Sequence, residues 1–468
     1  MNLITHPTSS SRPLALRTRA LSRSRLLAEL VAALLATGVT GGATAAASDG
    51  PAAGLPVGHT VKSIDVRGSA EGEHRKVDVH LWYPARRRDA SASPRTVYRS
   101  ALHGLRLIPG RWDPLSWSVE AEIARERAAI DPAGKRFPVI VFSHGSVNDP
   151  IDYAHTLERI AAAGFVVAAP YHVNNTQDDV RIDYINAQAG YQLIPCNDGR
   201  PGPCSRPAVP FSMADRVSDI SKVLDRLPAW LGHRVDVSRA GVLGHSRGTV
   251  TALAAAGGSA DWGPFPGLNC VPPQPSGEHP RHCWPGVVRE RRVKAIMGMA
   301  IGAPAITFGA RLSKVHVPSL LVAGTLDMTS PQAVSLLAFE QIASPRKEFV
   351  TIEHATHRSF DSTYCDQTQA AGALAQANAR AILDMHTISG IVTAATSGKA
   401  IEYCPFATFT SPTDIRPLVA SLTGLNVPDN VPTTGLDTEE VKDQVTGLAV
   451  TFFGTALKRG NDRRHFTR

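Results

Sequence analysis

The 468-residue chain has no C-x-x-C pair and no cysteine at finger-like spacing from a histidine, which argues against a structural zinc site. No cysteine precedes Cys196, so a lipid-modified N-terminal cysteine is excluded. The first 47 residues hold no adjacent arginine pair, which argues against twin-arginine export. Their uninterrupted apolar run falls short of the about 20 residues that a bilayer-spanning helix needs. A basic face is missing too, although the net charge is +8. Residues 1–47 carry five arginines against Glu29, and the tail 458–468 carries five basic residues against Asp462. Each end is therefore +4 and the body between them is neutral. Nucleic acid is not an expected partner of such a body.

What is present begins with an export pattern. Arginines up to Arg25 precede the short apolar core "LLAELVAALLATGV", and "ATAAAS" offers a small-residue cleavage site near Ala47. The expectation is a signal peptide over 1–47 and a secreted or periplasmic mature chain, 48–468, with no membrane span. Hydrophobic residues make up 43% and charged residues 19%, which is ordinary for a folded protein and argues against general disorder. Six cysteines follow the export segment: Cys196, Cys204, Cys270, Cys283, Cys365 and Cys404. An even number in an exported chain points to disulfides. Sequential pairing is favoured among the fifteen possibilities, because each consecutive pair brackets a Pro/Gly-rich or irregular stretch.

Along the mature chain, "VKSIDVRG" and "RKVDVHLWYP" alternate apolar and polar residues and read as an antiparallel pair. The stretch 85–135 reads as irregular, with one helix around "SVEAEIARERAAI". Strands then alternate with helices. Strands are expected at 137–143, 165–170, 240–245, 293–300, 318–324 and 347–353. Helices are expected at 154–164, 212–227, 247–257 and 438–457. This rhythm predicts a single α/β domain with a mainly parallel sheet flanked by helices. Three cysteine-bracketed insertions interrupt it, at about 174–210, 259–290 and 361–404.

One short stretch carries chemistry. "VLGHSRGTV" holds G-x-S-x-G at Gly244, Ser246 and Gly248, between a buried strand and an Ala-rich helix. That context fits a nucleophile elbow, in which glycines let the turn close and the serine hydroxyl projects beyond the sheet edge. A structural turn with a capping serine is the competing reading. A serine needs a base and an orienting acid, expected in the order Ser, Asp, His. Asp327 lies just beyond the strand "SLLVAG". His357 lies in the loop after "KEFVTIE", with His354 nearer the strand as the alternative. Asp361 and Asp366 are weaker acids for the role, since they follow the histidine. Oxyanion donors are expected from the backbone N–H of Arg247 and, through the His144-Gly145 turn, of Ser146.

With these pieces in place, the chain resembles the α/β-hydrolases, and among them the bacterial relatives of dienelactone hydrolase and platelet-activating factor acetylhydrolase. The resemblance rests on "VHLWYPA" (79–85), "PVIVFSHGS" (138–146), "GHSRG" (244–248) and "HRSF" (357–360). It implies the α/β-hydrolase fold, a triad of Ser246, Asp327 and His357, and oxyanion donors at Ser146 and Arg247. It implies a small-molecule, lipid or polymer ester as substrate, through an acyl-enzyme and with no metal or organic cofactor. Activity is then expected to rise with pH as the imidazole becomes neutral, near ~6.5 for an ordinary histidine. Thr249 departs from the small residue that often follows the elbow, and the insertions have no counterpart in the family. A phospholipase or polyester hydrolase is the nearest alternative, and a binding protein on a hydrolase scaffold the alternative of another class.

Overall fold

A computed structural model describes residues 54–67, 74–102, 115–132, 136–146, 148–173, 180–182, 193–195, 213–258, 270–271, 282–283, 289–302, 311–327, 329–363 and 438–457. The export segment 1–47, Asp366, and Cys196, Cys204, Cys365 and Cys404 lie outside these residues. All the described residues fall in one compact unit that begins at Ala53.

Apolar runs in this sequence become strands buried on both sides. Strand β5 (Phe137–Ser143) sends Val139 and Val141 to one core cluster and Ile140 and Phe142 to the other. That split follows from the two-residue side-chain period of a strand. The other strands are β1 (Val57–Arg67), β2 (His74–Pro84), β3 (Arg95–Leu102), β4 (Leu115–Glu126), β6 (Val166–Pro170), β7 (Val235–His245), β8 (Val293–Met299), β9 (Ser319–Gly324) and β10 (Lys347–Ile352). They form one sheet in the order β10-β9-β8-β7-β5-β6-β2-β1-β4-β3. From β10 to β6 every pairing is parallel, and β2 runs antiparallel to both of its neighbours. Read from β1 along the sheet to β10, this is the strand order of the α/β-hydrolase fold, and the chain has that fold.

Helices cover both faces. On one side lie α2 (Met213–Leu231), α3 (Arg247–Ala255) and α4 (Gln332–Gln341). The stripe Val217, Ile220, Val223, Leu224 and Leu227 of α2 is buried there. On the other side lie α1 (Ala154–Ala162) and α5 (Thr438–Ala456). Val441, Val445, Ala449 and Phe453 recur every fourth residue and bury one face of α5. Phe453 fits because β7 has Gly241 beneath it; a Cβ there would stand 2.5 Å from the ring. Burying such a ring stabilises the fold by about 1.5–3 kcal/mol.

The sequence misleads in one region. A helix is expected at 118–130, and the structure has β4 there, with β3 paired antiparallel to it in a stretch expected to be irregular. Val119 and Ala121 are buried while Ser118 and Glu120 are exposed, which is strand alternation. The buried carboxylate of Glu158 on α1 accepts the N–H groups of both Ile123 and Ala124, at 2.7 and 2.9 Å. Two successive amides turned to one acceptor break the alternation that sequence reading looks for. Helix propensity in this segment is overridden by tertiary pairing. Helix α4 was also not anticipated, because its ten residues follow no clear apolar period.

Candidate active site

The parallel half of the sheet presents its strand ends on one edge, and each chemical group expected from the sequence sits there. Strand β7, between β5 and β8, ends at His245 and turns at Ser246 into α3. Ser246 has φ 52° and ψ −117°, a conformation that costs a non-glycine residue about 1–3 kcal/mol. Backbone bonds hold it: its N–H donates to Met299 O at 2.9 Å, and its carbonyl accepts from Thr249 N and Gly302 N, each at 3.0 Å. The motif glycines explain how the turn closes. A Cβ on Gly248 would stand 1.7 Å from the carbonyl oxygen of Ser143, and one on Gly244 would stand 2.2 Å from that of Gly248. Strand β5, the elbow and α3 therefore meet backbone to backbone.

Thr249, the departure from the family pattern, is built into this turn. Its hydroxyl bonds the carbonyls of Gly244 and Met299 at 3.0 and 2.7 Å. Its methyl occupies the space left by Gly298 in β8, where a Cβ would come within 2.3 Å.

Asp327 follows β9 and is buried. One carboxylate oxygen accepts the N–H of Ser330 at 2.6 Å, and the other lies 2.9 Å from Nδ1 of His357. A carboxylate on Nδ1 leaves Nε2 as the basic nitrogen. The alternative histidine is elsewhere: His354 is an exposed turn residue with φ 60°. Asp361 is engaged as well, bonded to Arg358 at 2.7 Å and to Asn148 at 3.0 Å. His245, the neighbour of Ser246, holds its ring tilted at 45° to that of His357, with the centroids 4.7 Å apart. Burial holds the His245 pKa well below the usual histidine value, with the charges of His357 and Arg358 adding to the effect. Tyr153 Oη lies 2.7 Å from its Nδ1.

The loop carrying His357 is tied to the segment after β5. Thr363 bonds the carbonyls of Asp152 and Ile151, each at 2.9 Å, through its N–H and its hydroxyl. That same segment begins with the His144–Gly145–Ser146 turn. Arg247 Nε donates to Ser146 Oγ at 3.2 Å, so the two residues expected to supply oxyanion N–H groups are neighbours across the elbow. Arg247 is the first residue of α3, and helix N-termini direct their N–H groups outward. Gly302 faces it. A Cβ at Gly302 would stand 2.6 Å from Arg247 N and 2.9 Å from Ser246 Oγ. Sequence reasoning missed Gly302, since a lone glycine after a strand carries no signal.

Sequence reasoning also missed a second constellation beneath the first. Ser143 Oγ lies 2.9 Å from Nε2 of His172, and His172 Nδ1 lies 2.9 Å from Asp219. Arg75 completes the chain with an ion pair to Asp219 at 2.9 Å and one to Asp215 at 3.4 Å. Ser143, His172 and Asp219 are 0–1% exposed, so no substrate reaches them. Burial, then the charges of Arg216 and Arg75, keep His172 neutral by holding its pKa well below the ordinary value. The available signal was in α2, where Arg216 and Asp219 interleave with the apolar stripe at helical spacing. Their partners come from other elements, which is why the signal stayed mute.

Within the first two insertions two short ladders are described, Val180–Ile182 with Leu193–Pro195 and Cys270–Val271 with His282–Cys283. The second ladder sets Cys270 opposite Cys283 in register. Among the described residues, no group of three or more His, Cys, Asp or Glu is placed to hold a metal, and no helix is long and apolar enough to cross a membrane.

Residues 68–182 match the family "Platelet-activating factor acetylhydrolase, isoform II". The matched stretch runs from before β2 past β6, includes the His144–Ser146 turn, and ends before Ser246. No curated protein matches the chain. Among solved structures, a ferulic acid esterase from Streptomyces cinnamoneus is 17% identical, with 88% of this chain and 92% of that one covered and a TM-score of 0.43. A cold-adapted esterase from an Arctic intertidal metagenomic library is 14% identical over 70% and 96% of the two chains, with a TM-score of 0.34. A dienelactone hydrolase from Anabaena variabilis is 17% identical over 69% and 96%, with a TM-score of 0.33. The fold assignment rests on the strand order and the elbow rather than on these likenesses.

Proposed function

We propose that the protein is a carboxylic-ester hydrolase that works through Ser246, His357 and Asp327. One observation carries the reading: Ser246 sits strained at the end of a central strand, and the His357–Asp327 pair lies beside the adjoining His245. His357 would take the hydroxyl proton as Ser246 attacks the ester carbonyl, and would return it to the departing alcohol. Asp327 would hold the imidazole tautomer and stabilise the imidazolium. The N–H groups of Arg247 and Ser146 would receive the negative charge that builds on the carbonyl oxygen. Water activated by the same histidine would release the acid.

The family match over 68–182 favours a second, narrower reading of the substrate, a short-chain phospholipid. Export of the mature chain is part of the proposal, as is a disulfide between Cys270 and Cys283. The register that sets those two residues opposite each other supports that bridge. Labelling with a fluorophosphonate probe and mapping the modified peptide tests the mechanism. Label on Ser246, lost together with p-nitrophenyl ester hydrolysis in Ser246→Ala, is the expected result. Retained hydrolysis in that variant would sink the reading. Comparing p-nitrophenyl acetate, a short-chain phospholipid and a polyester film ranks the substrates.

A further inference from the structure

We propose that Arg216 is a positioning residue that sets the oxyanion turn and reinforces it with a buried positive charge. The proposal deepens the esterase reading and rests on it.

Arg216 lies in α2 and is 1% exposed. Its Nη2 donates to the carbonyl of His144 at 2.8 Å and reaches that of Gly145 at 3.4 Å. Its Nη1 lies 3.4 Å from the hydroxyl of Thr251, which in turn donates to the carbonyl of Arg247 at 3.2 Å. One side chain thus spans the turn expected to give one oxyanion donor and the helix that begins with the other.

The hydrogen-bond chain fixes the direction of that turn. The backbone N–H of His172 donates to His144 Nε2 at 3.1 Å, so the proton of His144 is on Nδ1. Nδ1–H then donates to the carbonyl of Gly145 at 2.7 Å. That carbonyl is held by both His144 and Arg216. In a trans peptide the C=O of one residue and the N–H of the next point in opposite directions. Holding the Gly145 carbonyl inward therefore turns the Ser146 N–H outward, away from the core. Loss of Arg216 would free the peptide plane to rotate and misdirect the donor.

The charge is a separate observation. No carboxylate among the described residues pairs with Arg216; Asp215 and Asp219 pair with Arg75 instead. The Nε atom of Arg216 has no partner either. An unpaired buried charge is costly, and a core residue of similar volume would pack there without that penalty. Burial, with the nearby Arg247 charge, pushes the guanidinium down to about 9 against the opposing pull of the Asp219 charge, so it stays charged at neutral pH. A fixed cation in a low-dielectric interior behind the turn favours the negative charge of the tetrahedral intermediate.

The test compares wild type, Arg216→Lys and Arg216→Met. Active sites are counted by fluorophosphonate labelling, and kcat for p-nitrophenyl acetate is expressed per labelled serine. Affinity for a trifluoromethyl ketone, which builds the same oxyanion on Ser246, is measured beside it. The expected loss in kcat is roughly 10-fold for lysine and about 10²–10³-fold for methionine, as for removal of an oxyanion donor. KM should stay within about threefold, and ketone affinity should fall in step with kcat. A purely structural role would lower the labelled fraction and the Tm while leaving kcat per labelled serine and ketone affinity unchanged; that result overturns the proposal. If the methionine variant does not fold, the lysine variant decides on the same two readouts. Wild type left unlabelled at Ser246 overturns the esterase reading and this proposal together, whereas a labelled wild type with flat kcat across the series overturns this proposal alone.

Discussion

Two serine–histidine–aspartate sets can be compared in this molecule, the one proposed at the sheet edge and one sealed in the interior. In the sealed set every link is short: Ser143 to His172 at 2.9 Å and His172 to Asp219 at 2.9 Å. In the edge set the histidine–aspartate link, His357 to Asp327, is also 2.9 Å. The histidine–aspartate distance therefore does not tell the two sets apart. What differs is the serine. Ser246 has a strained positive φ at a strand–helix turn, with Gly302 leaving room in front of it. Ser143 ends a regular strand, and its carbonyl is packed against Gly248 of the elbow. The sealed set braces the floor of the turn that the edge set is proposed to use.

The largest expected effect breaks the comparison at its serines. Ser246→Ala should cost about 10⁶ in kcat, as for loss of a triad nucleophile. Ser143→Ala removes a buried hydrogen bond worth about 0.5–1.5 kcal/mol and should keep activity within about tenfold of wild type. Steady-state rates on p-nitrophenyl acetate check both, and equal losses would erase the distinction.

The aspartates come next. Asp327→Asn should lower kcat by about 10⁴ through the wrong histidine tautomer, with little change in Tm. Asp219→Asn should act on the fold instead. It removes the shorter of the two ion pairs that Arg75 makes with Asp215 and Asp219, and breaking a buried pair costs about 3–5 kcal/mol. Urea unfolding separates the two outcomes.

Gly302→Ala sharpens the account of the edge set. The added methyl would stand 2.6 Å from Arg247 N and 2.7 Å from Ser246 C, so the elbow must shift and kcat should drop by about 10²-fold. Unchanged turnover would mean that the oxyanion is not bound in front of Gly302.

The smallest effect is a pH dependence of stability that belongs to the sealed set. The His172 pKa is lowered in the folded chain, first by burial and then by Arg216 and Arg75. The unfolded chain therefore takes up the proton first. Stability from this group is present above the ordinary histidine value of about 6.5 and is lost as pH falls below it. The buried His144 and His245 are shifted in the same direction, whereas burial pushes Asp219 up to about 6 and offsets part of the effect, because the folded chain takes up that proton first. Urea midpoints at pH 7 and pH 5 read this directly, and a midpoint that rises on acidification would contradict it.

Most of the parallel sheet was legible because apolar runs such as "FPVIVFS" match strands buried on both faces. The elbow was legible because its glycines are demanded by backbone approach, which leaves a local mark in the sequence. Asp327 and His357 were read from chain order and strand ends, with His357 preferred to His354 because it lies deeper in the loop. That choice depends on which ring the chain turns toward Asp327. The helix expected at 118–130 failed because the pairing of β4 with β3 and the reach of Glu158 lie outside any local window.

By itself, then, the sequence determined the alternation of strands and helices and the glycine-lined serine turn. Each of these is written in residues adjacent along the chain. Tertiary structure alone decided the sealed set, the role of Gly302 and the placement of Arg216 behind the oxyanion turn. Their partners are separated by tens to hundreds of residues, and a buried polar group reveals its purpose only when the chain that satisfies it has folded around it.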